Sequence, residues 1–223
     1  MFYNFIEQAV NNLNNNNIKL TNRDLQAIER RSQLLDSAKE LFASNGYHAT
    51  TTRQITKNIG MADGLIYHYF PDGKKQILDI IIKEFIDNKW IKLEKDISEV
   101  TCDTPLKEIL LKLGNIIFKY IGNDKNILII LLREQNILSD EYIITFNNHI
   151  NKVIHKTELI LKEKAEKNEI KAFDFFMMAN QFWSAIYTYI LQNTLFGERN
   201  LYSIGQDEYL KEIINYTQMT WKK

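Results

Sequence analysis

The chain has 223 residues, of which 45% are hydrophobic, so it is long enough for one large domain or two small ones with a buried core. Its 28 Lys and Arg residues balance 28 Asp and Glu residues, which excludes a basic field over the whole molecule. The single cysteine excludes an internal disulfide and a cysteine-based zinc cluster, and it agrees with a reducing cytoplasm.

Turn-forming residues are scarce, with eight glycines and two prolines in the whole chain. Helix-forming residues are plentiful, so we expect an all-α protein. No basic stretch precedes an apolar run at the N-terminus, and no run of about 18 apolar residues occurs anywhere. Neither secretion nor contact with a membrane is expected, and the predicted location is cytoplasmic.

The first 20 residues form an asparagine-rich extension. Its apolar residues recur at three- and four-residue spacing from Phe2 to Leu13, before the run Asn14 to Asn17. This spacing predicts one amphipathic helix.

Residues 21–73 show three helical patterns. Thr21 with Asp24 predicts a helix start, and the stripe that follows ends at Asn45-Gly46. Thr51 with Gln54 starts a second helix over 52–59, and Gly60 allows the tight turn after it. A third helix is predicted over 63–69. Their shared core is expected to contain Ile55, Ile59, Met61, Ile66 and Tyr69. Three helices and one tight turn are typical of a helix-turn-helix domain.

Residues 74–223 predict a larger body of long helices, separated by short polar breaks. The periodicity places them at 75–97, 104–122, 125–136, 139–167, 171–196 and 206–221.

In a helix-turn-helix, the helix after the tight turn enters the major groove, where all four base pairs can be distinguished. Here that is the third predicted helix. The segment from Asp63 to Phe70 is therefore the predicted reading helix. Side chains suited to phosphate surround it: Thr51, Thr52, Arg53, Tyr67, His68, Lys74 and Lys75. From Ala27 to Lys75, Lys and Arg residues only slightly outnumber Asp and Glu residues. Each head would then bind duplex DNA weakly, so two joined copies are expected.

The segment 171–196 is apolar nearly all round, so it must be covered on every side. We expect one side to pack in its own body and another to meet a second copy. The predicted interface combines this segment with the last helix and contains Phe175, Met178, Phe182, Ile186, Tyr209, Ile213 and Tyr216.

Residues 30–78 resemble the DNA-binding head of the TetR family of bacterial transcriptional repressors. The resemblance rests on the Leu34-Leu35-Ala38-Leu41-Phe42 pattern, Gly46-Tyr47, Thr50-Thr51, Arg53, Ile55, Gly60 and Tyr67-His68-Tyr69-Phe70. It implies that Thr51, Thr52, Arg53, Tyr67, His68 and a following lysine touch the DNA backbone. It also implies that Ala62, Asp63, Gly64 and Leu65 lie nearest the bases.

The chain departs from the family pattern at several positions. Asp63 stands where the family commonly has Lys or Arg, and an acid there could accept a hydrogen bond from a cytosine amino group. Ala62 replaces a serine cap. Gly73 moves the following lysine one position along, which leaves Lys74 or Lys75 for its role.

For the body, the resemblance implies a pocket for a small-molecule effector and a homodimer formed through the last two long helices. The pocket candidates are Trp90, Phe118, Phe146, Phe176 and Trp183. Few charges interrupt these apolar stripes, which favours a hydrophobic or aromatic effector. No metal or cofactor is expected, because no second ligand lies at metal spacing beside His68.

The leading interpretation is a dimeric repressor that binds a palindromic operator and is released by its effector. A helical enzyme is disfavoured, because the sequence has no HExxH, GxSxG, GxGxxG or phosphate-loop motif. A third alternative keeps the fold for protein interaction or DNA architecture, without ligand-controlled repression. The neutral charge, Asp63 and the long N-terminal extension favour that alternative.

Overall fold

A computed structural model of the chain describes residues 21–197 and 203–223. Within these ranges the protein consists of helices and turns and contains no strand, so the all-α prediction is confirmed. One isolated antiparallel bridge joins Ile170 to Lys222. The predicted N-terminal helix lies outside the described residues. None of the described helices is long and apolar enough to cross a membrane.

The chain divides into two compact units, one ending at Lys83 and the other beginning at Glu84. We call them the head and the body. The division falls ten residues after the boundary expected from sequence, within a helix that begins at Lys74. The functions expected of the two domains stay predictions at this point.

The head is built from α1 (Asn22–Asn45), α2 (Thr52–Asn58), a 3-10 turn (Asp63–Leu65), α3 (Ile66–Tyr69) and the start of α4 (Lys74–Phe85). Both predicted capping boxes are present, Thr21 with Asp24 and Thr51 with Gln54. Gly60 has a φ of 68°, a left-handed conformation that favours glycine, and it turns the chain after α2. The predicted third helix is thus divided into a 3-10 turn and one α-helical turn.

The core of the head differs in part from the predicted one. Ile55 and Ile66 are fully buried, whereas Ile59, Met61 and Tyr69 are only half-buried. The large side chains that fill this core are Leu34, Phe42, Ile55, Ile66 and Phe70. Phe70, the last residue of the reading segment, is fully buried and therefore anchors that segment in the core of the head.

The body continues α4 through a π-helical turn (Ile86–Trp90) into α5 (Ile91–Ser98). It then contains α6 (Leu106–Ile117) with a second π-helical turn (Phe118–Gly122), α7 (Lys125–Arg133) and a 3-10 turn (Gln135–Ile137). The long helices α8 (Asp140–Glu166), α9 (Phe175–Phe196) and α10 (Gln206–Trp221) complete it. The sequence periodicity located these segments well but did not reveal the π-helical turns, which leave the apolar pattern nearly unchanged.

Close packing and two buried polar contacts hold the body together. A Cβ added to Gly114 of α6 would lie 2.5 Å from Leu210 Cδ1, so glycine permits α10 to approach this closely. Trp183 Nε1 in α9 donates to Thr157 Oγ1 in α8 at 2.9 Å, and both residues are buried. Lys89 Nζ lies 2.5 Å from Asp124 Oδ2, the carboxylate that caps α7.

Candidate functional site

The N-terminus of α2 is fixed by a reciprocal cap. Thr51 Oγ1 accepts a hydrogen bond from the Gln54 backbone N–H, while Gln54 Oε1 accepts one from the Thr51 N–H at 2.7 Å. The cap leaves Thr51 and Arg53 exposed and Thr52 half-buried in the first turn. These predicted phosphate-contacting residues therefore project from one rigid helix start.

The reading segment presents a short polar and apolar surface. No side chain caps its first turn at Ala62. Just before this turn, the Met61 backbone N–H donates to the Thr56 carbonyl of α2 at 2.9 Å. Ala62, Asp63, Gly64 and Leu65 are all exposed, and Leu65 is 45% exposed despite its apolar side chain. An exposed leucine here can contact a thymine methyl group in the major groove.

Side-chain contacts join α2 to the reading segment. Thr52 Oγ1 lies 3.5 Å from the Tyr67 hydroxyl oxygen, and Arg53 Nε lies 3.1 Å from Asp63 Oδ2. Tyr67 is 53% exposed and rests on Gly73, where an added Cβ would come within 3.3 Å of the tyrosine ring. The structure thus brings Thr52, Arg53, Asp63 and Tyr67 onto one surface, which we call the reading face.

The predicted phosphate contact of Lys74 is corrected by the structure. Its ammonium group donates to the carbonyls of Tyr47 at 2.8 Å, Thr50 at 3.0 Å and His48 at 3.3 Å. It also lies 4.4 Å from the centre of the Tyr47 ring. A lysine has three N–H donors, so these carbonyls satisfy all of them. Lys74 therefore ties the loop before α2 to the start of α4.

Lys75 and His68 remain candidates for phosphate contact. Both side chains are exposed, and the His68 ring meets Tyr69 edge-on with ring centres 5.2 Å apart. The sequence left Lys74 and Lys75 as alternatives for one role, and the geometry favours Lys75 because its ammonium is not drawn into the loop.

The five predicted effector residues differ in their burial. Trp90, Phe118 and Trp183 are buried, Phe146 is half-buried, and Phe176 is 50% exposed at the start of α9. Trp90 and Phe146 do meet, with perpendicular rings 5.8 Å apart. The buried Trp90 Nε1 has no hydrogen-bond partner among the described residues, and neither has the Tyr187 hydroxyl.

Tyr187 also has a perturbed acidity, because its burial raises the pKa of the phenol well above its usual range. The phenol therefore stays protonated and keeps a donor available. The described residues contain no group of three or more His, Cys, Asp or Glu side chains that could hold a metal ion.

The predicted dimer interface is corrected at three positions. Met178, Phe182 and Ile186 are at most 4% exposed in a single copy, so they pack in the core of their own unit. Phe175, Tyr209 and Ile213 are half-buried, and Tyr216 is 63% exposed. The exposed apolar residues on or beside α9 are others: Phe173, Phe176, Met177, Leu191, Leu195 and Phe196.

Comparison with known proteins agrees with this geometry. Residues 34–80 match the sequence profile of the bacterial regulatory proteins of the tetR family. Over 142 residues the chain is 32% identical to the fatty acid metabolism regulator protein of Bacillus subtilis, which covers 62% of this chain and 70% of that protein. The chain belongs to the TetR family. It is therefore a DNA-binding transcriptional regulator and not an enzyme.

Two further TetR relatives extend the comparison. The transcriptional repressor KstR2 of Rhodococcus jostii is 43% identical over 63 residues, which is 28% of this chain and 30% of that protein. The solved structure of the ketosteroid transcriptional regulator KstR2 of Mycobacterium tuberculosis aligns with a TM-score of 0.66 at 19% identity. That alignment covers 87% of this chain and 95% of the other, so the TetR fold extends through the body.

The two adjacent lysines give a matched pair for testing this surface of the TetR head. Lys74→Met should lower the stability of the head by about 1–3 kcal/mol, since the carbonyls of the loop lose their charged donor. Lys75→Met should leave the melting temperature unchanged but weaken binding to every duplex, and should reduce the salt slope by about 0.9. Thermal unfolding and duplex titration at several salt concentrations measure both effects. Equal losses of stability in the two variants would contradict this assignment.

Proposed function

We propose that this protein is a repressor that binds a near-palindromic operator as a homodimer and releases it when a hydrophobic effector binds the body. Residues 21–73 would read the operator, and residues 74–223 would hold the effector and the partner copy. The observation that carries the proposal is the reading face. Arg53 and Tyr67 lie exposed on two helices that a capping box and a left-handed glycine turn hold together.

The neutral net charge is compatible with this role because DNA contacts are local. The exposed groups at or beside the reading face include the Thr51 and Tyr67 hydroxyls, His68 and Lys75. A head with so few phosphate contacts has a shallow salt dependence and a low affinity alone. Joining two heads raises the effective concentration of the second, which restores tight binding.

An exposed apolar stripe supports dimerisation. On or beside α9 it includes one group near the N-terminal end, Phe173, Phe176 and Met177, and another near the C-terminal end, Leu191 and Leu195. The exposed residues between the two groups are Gln181, Ser184 and Thr188. Tyr216 and Met219 of α10 are also exposed, at 63% and 82% respectively. Large exposed apolar side chains in such groups are typical of a protein interface. Two copies related by a two-fold axis would cover this stripe on both.

The buried donors in the body support an effector with an apolar chain and a polar acceptor. The unpartnered Trp90 Nε1 lies beside the aromatic ring of Phe146, and the His149 ring stacks on Trp90 with centres 5.6 Å apart. A carbonyl or carboxylate could accept from the indole N–H, while the chain contacts the rings. The Bacillus subtilis relative is a regulator of fatty acid metabolism, which favours a fatty acid or an acyl derivative.

Selection from random duplexes should return a near-palindromic site. Its two half-sites should be centred about 34–36 Å apart, since two heads must reach successive major grooves on one side of the duplex. The measurement is sequencing of duplexes retained by the purified protein at low salt. If no duplex is retained, the repressor function is rejected and the protein-interaction alternative takes its place.

Charge placed on the apolar stripe should separate the dimer. Met177→Glu and Tyr216→Glu are each expected to give monomers at micromolar concentration and to weaken palindrome binding by about 10²–10⁴-fold. Ile144→Glu is the control, because Ile144 in α8 is 58% exposed but lies outside the stripe. Analytical ultracentrifugation and duplex titration give the readouts. Dimers that persist in both stripe variants would contradict the proposed interface.

Acyl compounds of increasing chain length should raise the melting temperature and release the selected duplex. At a concentration 100 times Kd the stabilisation is about 2.7 kcal/mol. A coupling of about 1–3 kcal/mol would weaken operator binding about 5- to 150-fold. Thermal shift and duplex competition measure the two effects, with a ketosteroid as the alternative ligand.

Two tryptophan variants separate ligand recognition from folding. Trp90→Phe should reduce acyl binding and lower stability only through the smaller ring, because its N–H bonds to none of the residues that the structure describes. Trp183→Phe should lower stability further, because it also removes the donor to Thr157. Release that is insensitive to Trp90→Phe would exclude the indole as the polar contact.

A further inference from the structure

Arg53 and Asp63 form an ion pair that joins α2 to the first turn of the reading segment. Arg53 Nε lies 3.1 Å from Asp63 Oδ2, and the two side chains are 81% and 56% exposed. The other carboxylate oxygen, Oδ1, lies 3.3 Å from the hydroxyl of Thr56, a fully buried residue of α2. The carboxylate therefore lies between the guanidinium and a buried hydroxyl, whose single proton is shared with the carbonyls of Arg53 at 3.1 Å and Thr52 at 3.2 Å.

The exposure of this ion pair limits its contribution to folding stability. Ion pairs between exposed side chains contribute little to folding stability, because water screens their attraction. The pair also neutralises a cation on the face that meets DNA, which reduces attraction to phosphate. Neither stability nor general affinity accounts for an acid at this position.

The geometry of the guanidinium suggests a different role. Its donors form a rigid planar fork, so a carboxylate paired beside Nε restrains the side chain and leaves the outer edge, which carries the two Nη groups, for another acceptor. That outer edge matches the O6 and N7 acceptors of guanine in the major groove. If Arg53 contacted a phosphate, the carboxylate beside it would be repelled by the phosphate charge. If Arg53 contacts a base edge, the carboxylate behind it faces no such charge.

We propose that Asp63 is a positioning residue that holds Arg53 to read a guanine in each half-site. The proposal rests on the proposed operator-binding function and deepens it. It replaces two expectations drawn from sequence: Arg53 contacts a base instead of the backbone, and Asp63 acts through Arg53 instead of accepting from a cytosine. Thr56 is the buried neighbour of that carboxylate on α2.

The test uses the full-length protein and duplex selection with four variants. Asp63→Ala removes the acceptor, Arg53→Lys keeps the charge but removes the planar fork, and the double variant combines them. Asp72→Ala is the matched control, because it removes an exposed acid from the same unit outside the reading face. Circular dichroism and melting temperature establish that each variant is folded.

Both single variants should lose preference for G·C at the same position of each half-site, by about 5- to 150-fold. Asp63→Ala should also bind unrelated duplexes more tightly, with a salt slope steeper by up to about 0.9, because it frees a cation. Asp72→Ala should leave the base preference unchanged. The double variant should show no further loss of preference beyond Arg53→Lys, since Asp63 acts through the arginine.

Three results would overturn the proposal. If wild-type protein binds no duplex, both this inference and the operator-binding function fail. If it selects a site but Asp63→Ala leaves the preference unchanged, the operator-binding function stands and the inference fails. If Asp63→Ala still changes the preference in the Arg53→Lys background, Asp63 contacts a base directly and is not a positioning residue.

Discussion

The hydrogen bonds from the Lys74 ammonium to the carbonyls of Tyr47, His48 and Thr50 hold the reading face in place. The loop that carries these carbonyls leads directly into the Thr51 cap of α2, and Lys74 itself begins α4. The Tyr47 carbonyl also accepts from the Thr50 backbone N–H at 3.3 Å, and the ammonium adds a charged donor to all three carbonyls of this loop. Gly73, immediately before Lys74, leaves room for the Tyr67 ring. Lys74 therefore links the start of α2 to the start of α4, and Ser37 adds a buried bond from α1 to the Ile55 carbonyl of α2.

Local structure in the head was largely predictable because it depends on short-range hydrogen bonds and backbone conformation. Thr51 and Gln54 specify the start of α2, and Gly60 supplies the left-handed turn after it. The direction of the Lys74 ammonium could not be predicted. Spacing along the chain places a lysine at a helix start, but it does not tell whether the amine meets phosphate or a loop 24 to 27 residues earlier.

The helix α9 shows a second limit of sequence patterns, for a different physical reason. Its apolar residues lie on every side, so periodicity gives no direction for the core. Packing against α8 decides the question: Trp183 bonds to Thr157, and Met178, Phe182 and Ile186 turn inward with it. Their neighbours Met177 and Leu191 are then left exposed. An amphipathic helix would have revealed its buried side in the sequence, whereas α9 reveals it only once packed.

The weak binding expected of one head and the neutral ion pair on its reading face have the same consequence: attraction to phosphate contributes little to affinity. When few phosphate contacts supply affinity, binding depends on the number of heads engaged and on the bases they meet. On the proposed function, such a protein would discriminate poorly as a monomer and well as a dimer. It would also be easily released, because a small change in the free energy of engaging the second head would remove most of the affinity. Trp90 Nε1 has no hydrogen-bond partner within residues 21–197 and 203–223. Such a buried donor could supply that change, because a ligand that accepts from it gains free energy only in the conformation that admits the ligand.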